Sequence, residues 1–339
     1  MENYISKCLD SLIVPSIDKL DIIVVNDGSK DRSSEIAHSY ANKFPNSIRV
    51  IDKENGNYGS CINAALPTLK GKYVKILDAD DTFDSNNLEK FIRKITKINI
   101  DCIITNYKEI NSRGWTIKKI NYNFLTQNKE FNLDNINLIT YINKIAMHAI
   151  TYNSSIFINK NYIQTEKISY TDTEWIWLPM SWCKTYIYIP YYIYNYLLGR
   201  PGQTVNFEID RRNINHHIIR FERQISYLYN RSKDLKENIN VYKNKFLEIS
   251  LLIYIYRLYK RYLIQEKDSS TEALINFDKK NYIFINYLEK NYNIIFENDK
   301  EYLNKLNLWR QGSYNNSLLF KKNIFHKVKN YIKKFLISI

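Results

Sequence analysis

Short apolar runs, each ended by a turn and followed by a helical stretch, limit this chain more than any other feature. Asp21 to Asn26 (Asp-Ile-Ile-Val-Val-Asn) is the clearest. It has no polar alternation, as expected of a parallel strand buried on both faces. Asp27-Gly28-Ser29 breaks it, and Asp31 or Ser33 can cap a helix to about Lys43. Strands follow at 48–51, 73–77 and 101–105. The helices between them run from the glycine turn Asn55-Gly56-Asn57-Tyr58-Gly59 to about Leu69, and over about 86–97. A short helix over 3–12 precedes the series. Strand and helix in alternation predict an α/β fold, a doubly wound and mostly parallel sheet.

Beyond residue 106 the pattern loosens. Trp115 to Phe124 reads as an antiparallel strand, 133–146 as a helix, and Tyr186 to Tyr196 as two short strands around Pro190. From about 208 the chain is helical in pattern, with no Gly before Gly312 and no Pro. This predicts a sheet domain over 1–206 and a helical region over 207–339.

Asp78-Ala79-Asp80-Asp81 closes the strand 73–77. Three carboxylates there repel one another unless a cation or hydrogen bonds compensate. In open α/β sheets, ligands bind at the C-terminal strand ends. A hard divalent ion carrying a diphosphate suits the place, because such ions take one or two carboxylates plus phosphate oxygens. The plainer alternative is a solvated acidic turn.

Composition narrows the rest. The 339 residues suffice for a catalytic domain with an appendage, and the apolar share of 45% supports a sizeable core. The 29 Tyr fit the codon bias of an AT-rich genome and are set aside as functional signals. Cys8, Cys61, Cys102 and Cys183 form no Cys-x-x-Cys pair, so neither a zinc site nor a disulfide framework is indicated. No apolar run reaches the roughly 18 residues of a membrane span, since Ile187 to Leu198 is broken by Pro190. These features predict a cytoplasmic protein, soluble or peripheral to the membrane.

The net charge of +14 is heaviest towards the C-terminus. No helix-turn-helix, zinc finger or RNA-binding aromatic motif accompanies it, so no nucleic-acid partner is expected. From Phe320 to Ile339 there are six lysines and no acids, with Ile324, Val328, Tyr331, Phe335 and Ile339 at helical spacing. That reads as a basic amphipathic helix, lying on an anionic membrane or docked on the protein.

Four segments together resemble the family-2 glycosyltransferases, inverting enzymes of the GT-A fold. They are Ile23-Val24-Val25-Asn26-Asp27-Gly28-Ser29, Lys53 to Ala65 with its glycine turn, Gly71 to Asp81, and Tyr170-Thr171-Asp172-Thr173-Glu174-Trp175. The resemblance covers about residues 3–205 and implies a nucleotide-sugar donor. It implies that Asp27 contacts the base, which favours a UDP-sugar, and that Asp78 lies near the ribose and metal. Asp80 would bind Mn2+ or Mg2+ directly, and Asp172 would be the catalytic base. Family members usually have Glu or another polar residue before that base; Thr171 stands there as a departure. Asn63 would order the site or touch the donor. Many members have Arg before that Asn, where this chain has Ile62. Arg200 could supply the missing cation or belong to a surface turn. His148 could face the acceptor or be structural, and Trp175 and Trp177 could stack on sugars or pack in the core. The acceptor would be a glycan or a lipid-linked glycan of a bacterial surface polysaccharide.

Members normally begin with a strand before the helix that aligns with 3–12, central in the sheet. The chain starts inside that helix, so a slot beside strands 21–26 and 73–77 is expected to lack its strand. The alternative reading is an inactive remnant or nucleotide-binding scaffold.

Overall fold

A computed structural model describes residues 1–133, 136–158, 160–203, 207–233, 241–265, 271–292 and 300–314. The basic tail 320–339 lies outside the described residues. Compactness divides the chain into two units, Met1–Ser250 and Leu251–Ile339. Along the chain the last strand ends at Leu197 and helices follow from Phe207.

Within the first unit, helix α1 (Ile5–Asp10) precedes strand β1 (Ile22–Asp27), helix α2 (Ser33–Lys43), strand β2 (Ile48–Lys53) and helix α3 (Asn57–Ala65). β1 and β2 pair in parallel over their full length. Strands β3 (Tyr73–Val74) and β4 (Thr82–Phe83) flank the acidic cluster. Helix α4 (Ser85–Ile95) follows, its first turn capped by Asp84, which accepts from the Asn87 amide at 3.1 Å. Strand β5 (Cys102–Ile110) is the spine of the larger sheet, with strand β6 (Thr116–Ile120) antiparallel on it. Strand β7 (Glu130–Phe131), helix α5 (Ile136–Ile142), strand β8 (Ile150–Asn153), helix α6 (Asp172–Trp182) and strand β9 (Tyr186–Leu197) complete it. The larger sheet runs β3-β8-β5-β9-β4. Its longest ladder, β5 with β9, is parallel; the shorter pairs with β8, β4, β6 and β7 are antiparallel.

β9 is one strand, not two. Pro190 cannot donate to a ladder, and the register slips there: Thr105 faces Ile189 while Asn106 faces Tyr192. The Asn106 amide donates to the Pro190 carbonyl at 3.2 Å, which holds the bulge.

Two expectations fail locally for one reason. β1 is half-buried throughout rather than buried on both faces. Only 73–74 of the expected strand 73–77 is paired, to β8. β1 and β2 form a separate ladder, and among the described residues no strand joins β1 to 73–77. With no neighbour on that side, neither segment gains full cover or a full ladder.

Helices α7 (Phe207–Arg212) and α8 (Ile214–Lys233) belong to this unit, and helix α9 (Val241–Tyr259) begins in it. The second unit packs the remainder of α9 with helices α10 (Thr271–Asn291) and α11 (Lys300–Gln311) around Leu274, Phe277, Ile285, Leu306 and Trp309. Arg310 is its electrostatic pin. It donates to Asp278 at 2.7 and 3.0 Å and to Glu289 at 2.9 and 3.1 Å, all nearly shielded from water. Tyr259 also donates to Asp278, at 2.8 Å. Removing one partner strands a buried charge, so Arg310→Ala is expected to cost about 3–5 kcal/mol. Chemical denaturation of the second unit's helices measures this.

Candidate functional site

Helix α3 joins the two acidic strand ends. Asp27, at the end of β1, accepts from the Lys53 ammonium at 2.7 Å, the Gly56 amide at 2.9 Å and the Asn55 side chain at 3.2 Å. Ser60 adds a longer contact at 3.3 Å. Burial pushes the Asp27 carboxyl up, but Lys53 and the Gly56 amide outweigh it and hold it below its ordinary range. Gly28 takes φ +66, which only glycine adopts freely, and the Asn55 amide sits 2.9 Å from where a Cβ would stand. From the same helix turn, Tyr58 donates to Asp78 at 3.0 Å.

The acidic cluster is dispersed among different partners. Asp81 is fully buried, accepting from the Tyr194 hydroxyl at 2.5 Å and the Leu197 amide at 2.7 Å. Burial pushes it up to about 8, against the lowering effect of those bonds. Burial likewise pushes Asp78 up to about 7, with Asp80 and Asp172 adding repulsion. Tyr58 and Tyr194 are raised well above the ordinary phenol by burial and by these carboxylates. Asp80 pairs with the Arg200 guanidinium at 2.6 Å. The turn that carries Arg200 is fixed by Gln203, whose side chain accepts from the Gly199 and Arg200 amides and donates to the Leu197 carbonyl.

His148 enters the cluster from the far side. Its ring lies between Tyr194 and Tyr196, with centroids 4.7 and 4.4 Å away. Burial and the Lys75 ammonium push it down to about 3. Its Nδ1 is buried without a hydrogen-bond partner. Lys75 is itself pushed down to about 7 by burial, donating to the His148 and Ile150 carbonyls at 2.7 and 3.2 Å.

Among the described residues, Asp78, Asp81 and His148 form a group that could hold a metal ion, with one ligand atom from each within 4.8 Å of the others. Two carboxylates and a ring nitrogen would suit a divalent cation, which takes carboxylate oxygens together with phosphate oxygens. The unpartnered His148 nitrogen suits that use. Asp80, which the sequence reading makes the direct metal ligand, is bound to Arg200 instead and lies outside this group.

Asp172 is the first residue of α6, exposed, and its carboxylate makes no hydrogen bond among the described residues. Its charge acts on Asp78 and Tyr58, and so reaches the recess of the acidic cluster. Asn63 acts elsewhere. Its amide accepts from the Gln164 backbone at 2.8 Å and donates to the Gln164 carbonyl at 2.9 Å and to Glu166 at 2.8 Å. It therefore latches α3 to the loop that leads to Asp172. Gly59 makes the same junction possible, since a Cβ there would stand 1.9 Å from the Thr165 carbonyl oxygen. Trp175 and Trp177 are core residues. Trp175 stacks on Phe157 at 5.1 Å, and Trp177 donates to the Leu247 carbonyl at 2.8 Å.

Sequence reasoning missed Tyr58, Tyr194 and Lys53. Lys53 and Tyr58 lie within a segment already singled out. The period of two in Tyr192-Ile193-Tyr194-Asn195-Tyr196 would have put Tyr194 and Tyr196 on one face of β9.

This arrangement defines an α/β protein of the GT-A fold. Residues 2–157 match the profile of glycosyl transferase family 2. Glycosyltransferase GlyA of Streptococcus pneumoniae is 35% identical over 111 residues, covering 33% of this chain and 16% of that protein. Putative glycosyltransferase EpsH of Bacillus subtilis is 36% identical over 117 residues, covering 34% of this chain and 33% of that protein. The chondroitin synthase of Pasteurella multocida is 24% identical over 311 residues, covering 89% of this chain and 30% of that protein. In each case the chain spans a third or less of the relative's length. The crystal structure of S. aureus TarS with UDP-GlcNAc superposes with a TM-score of 0.51 at 20% identity, covering 77% of this chain and 79% of that one. At that identity the likeness is one of fold. Among the described residues no helix is long and apolar enough to cross a membrane.

Two predictions follow from this geometry. Gly59→Ala is expected to push the 164–166 loop away and to cost about 1–3 kcal/mol in thermal unfolding. The second concerns pH. Asp78 titrates near 7 in the folded protein and near 3.8 when unfolded, so the unfolded chain binds fewer protons between those values. Stability without metal therefore falls as pH rises through that window. His148, pushed down from 6.5 to about 3, acts oppositely between those two values. The comparison with Asp78→Asn isolates the carboxyl: relative to the variant, the wild type should lose stability from pH 4 to pH 7 in denaturant titrations.

Proposed function

We propose that this protein transfers a sugar from a nucleotide-sugar donor, a UDP-sugar, to a hydroxyl of a glycan or lipid-linked acceptor, inverting the anomeric centre. The observation that carries the reading is the position of Asp172. An exposed carboxylate, without a hydrogen bond among the described residues, stands near enough to the acidic cluster for its charge to raise the Asp78 carboxyl. A base must be accessible to the acceptor and a donor diphosphate must be neutralised, and here the two requirements meet.

The step balances simply. The acceptor oxygen attacks the anomeric carbon while its proton passes to the Asp172 carboxylate. The bond from that carbon to the diphosphate oxygen breaks, and UDP leaves with the electron pair from the opposite face. Mn2+ or Mg2+, held by Asp78 with Asp80, Asp81 or His148, would supply positive charge to the departing diphosphate. Arg200 is placed to share that work once Asp80 is engaged elsewhere. Asp27 would accept from the uracil imide through the oxygen that is not bound to Lys53. The bound UDP-GlcNAc of S. aureus TarS is consistent with a uridine donor. Bacterial surface-polysaccharide synthesis at the inner face of the membrane is the setting that the lysine-rich residues 320–339 favour.

A non-catalytic nucleotide-binding scaffold is the second reading. It is favoured by the separation of the β1–β2 ladder from β3.

UDP release from a panel of UDP-sugars with Mn2+ tests the proposal. Asp172→Asn is expected to lower kcat by about 10²-fold or more and to leave the affinity for UDP within about twofold. Unchanged turnover in the variant would remove Asp172 from the mechanism. No release from any donor by the wild type would favour the scaffold.

A further inference from the structure

Asp172 has no side-chain hydrogen bond among the described residues, so the backbone just before it sets its position. That backbone is unusual. Tyr170 adopts φ +64, a left-handed conformation that glycine takes freely and a tyrosine does not. A tyrosine there persists only where its surroundings over-determine it.

Helix α8 supplies those surroundings. The Arg220 guanidinium donates to the Tyr170 carbonyl at 2.5 Å. The His217 ring stacks on the Tyr170 ring with centroids 4.4 Å apart and planes 16° from parallel. Its Nε2 is bonded to Asp210 of α7 at 2.7 Å, which fixes the ring's orientation. The Ser169 amide donates to His216 Nδ1 at 3.1 Å. One turn further along, Arg223 donates to the Thr165 hydroxyl at 2.5 Å and the Ile163 carbonyl at 2.6 Å. On the opposite side, the Gln164 side chain donates to the carbonyl and hydroxyl of Thr171 at 2.9 Å each. The residues just before Asp172 are thus gripped from two sides, most heavily at the strained one.

We propose that α8 is the positioning element of the transfer centre, with His216, His217 and Arg220 holding Ser169 and Tyr170 so that Asp172 is presented to the recess. This rests on the reading of Asp172 as the base. Relaxation of Tyr170 towards negative φ would swing the start of α6, and a displacement of about 1 Å at a reacting group costs about 10²-fold in rate. His216, His217 and Arg220 touch neither donor nor acceptor in this account and act through the backbone.

The test uses the full chain with Arg220→Met, with the milder His216→Leu at a half-exposed position, and with Arg220→Met combined with Tyr170→Gly. UDP release from UDP-glucose, UDP-galactose and their N-acetylamino forms is measured with Mn2+, and amide hydrogen exchange is followed in parallel. For the best donor, each single variant is expected to lower kcat about tenfold or more while donor KM stays within about twofold. Exchange in 166–172 should quicken while β5 and β9 keep their rates. Tyr170→Gly should restore part of the lost kcat, because glycine holds φ +64 unaided. Unchanged kcat with unchanged exchange in 166–172 would overturn the proposal. So would a joint loss of kcat, donor affinity and thermal stability that glycine does not relieve. If Arg220→Met does not fold, His216→Leu decides by the same readings. If Asp172→Asn keeps full turnover, or no donor is used, the reading of Asp172 fails separately, and exchange in 166–172 still decides whether α8 holds the loop.

Discussion

Burial of Asp78 and Asp81 beside the charged Asp80 is the constraint on which the site depends. Three carboxylates within four residues cannot all stay charged side by side in a partly dry recess. The fold separates them. Asp81 turns inward to Tyr194 and the Leu197 amide, Asp80 turns to Arg200, and Asp78 meets Tyr58. Two of the three still titrate near or above neutrality, so hydrogen bonds compensate only partly. Protonation of the buried carboxyls or a bound cation would offset this charge, and His148 stands with Asp78 and Asp81 in a group that could hold one.

Helix α3 ties that recess to everything around it. Its first turn meets both acidic strand ends, through Ser60 to Asp27 and Tyr58 to Asp78. Further along, Asn63 and Gly59 seat the 164–166 loop. That loop is continuous with Tyr170 and Asp172, which α8 grips from its other side. A disturbance in α3 therefore reaches Asp27, Asp78 and the loop before Asp172 together.

Much of this was legible in the sequence. The apolar run of β1, the helix from Ser33 to Lys43 and the helix near 86–97 are local signals of strand and helix, and the structure has them there. Other parts depend on contacts between distant residues. The pairing of β5 with β9 brings together segments more than eighty residues apart, and it moved Pro190 from a break between strands to a bulge within one. Asn63 is read from the resemblance as ordering the site or touching the donor; its amide holds a loop about a hundred residues away, ahead of Asp172. Tyrosine enrichment was discounted as composition, which hid Tyr58 and Tyr194. Arg200 carried the right charge, and only the fold could reveal that Asp80 takes it.

Calorimetric titration of UDP with and without Mn2+, on the wild type and on Asp78→Asn, tests the central claim most directly. The account predicts that Mn2+ tightens UDP binding to the wild type by about tenfold or more and that Asp78→Asn abolishes this gain. Equal UDP affinity with and without Mn2+ in the wild type would contradict it, because the acidic recess would then serve neither cation nor diphosphate.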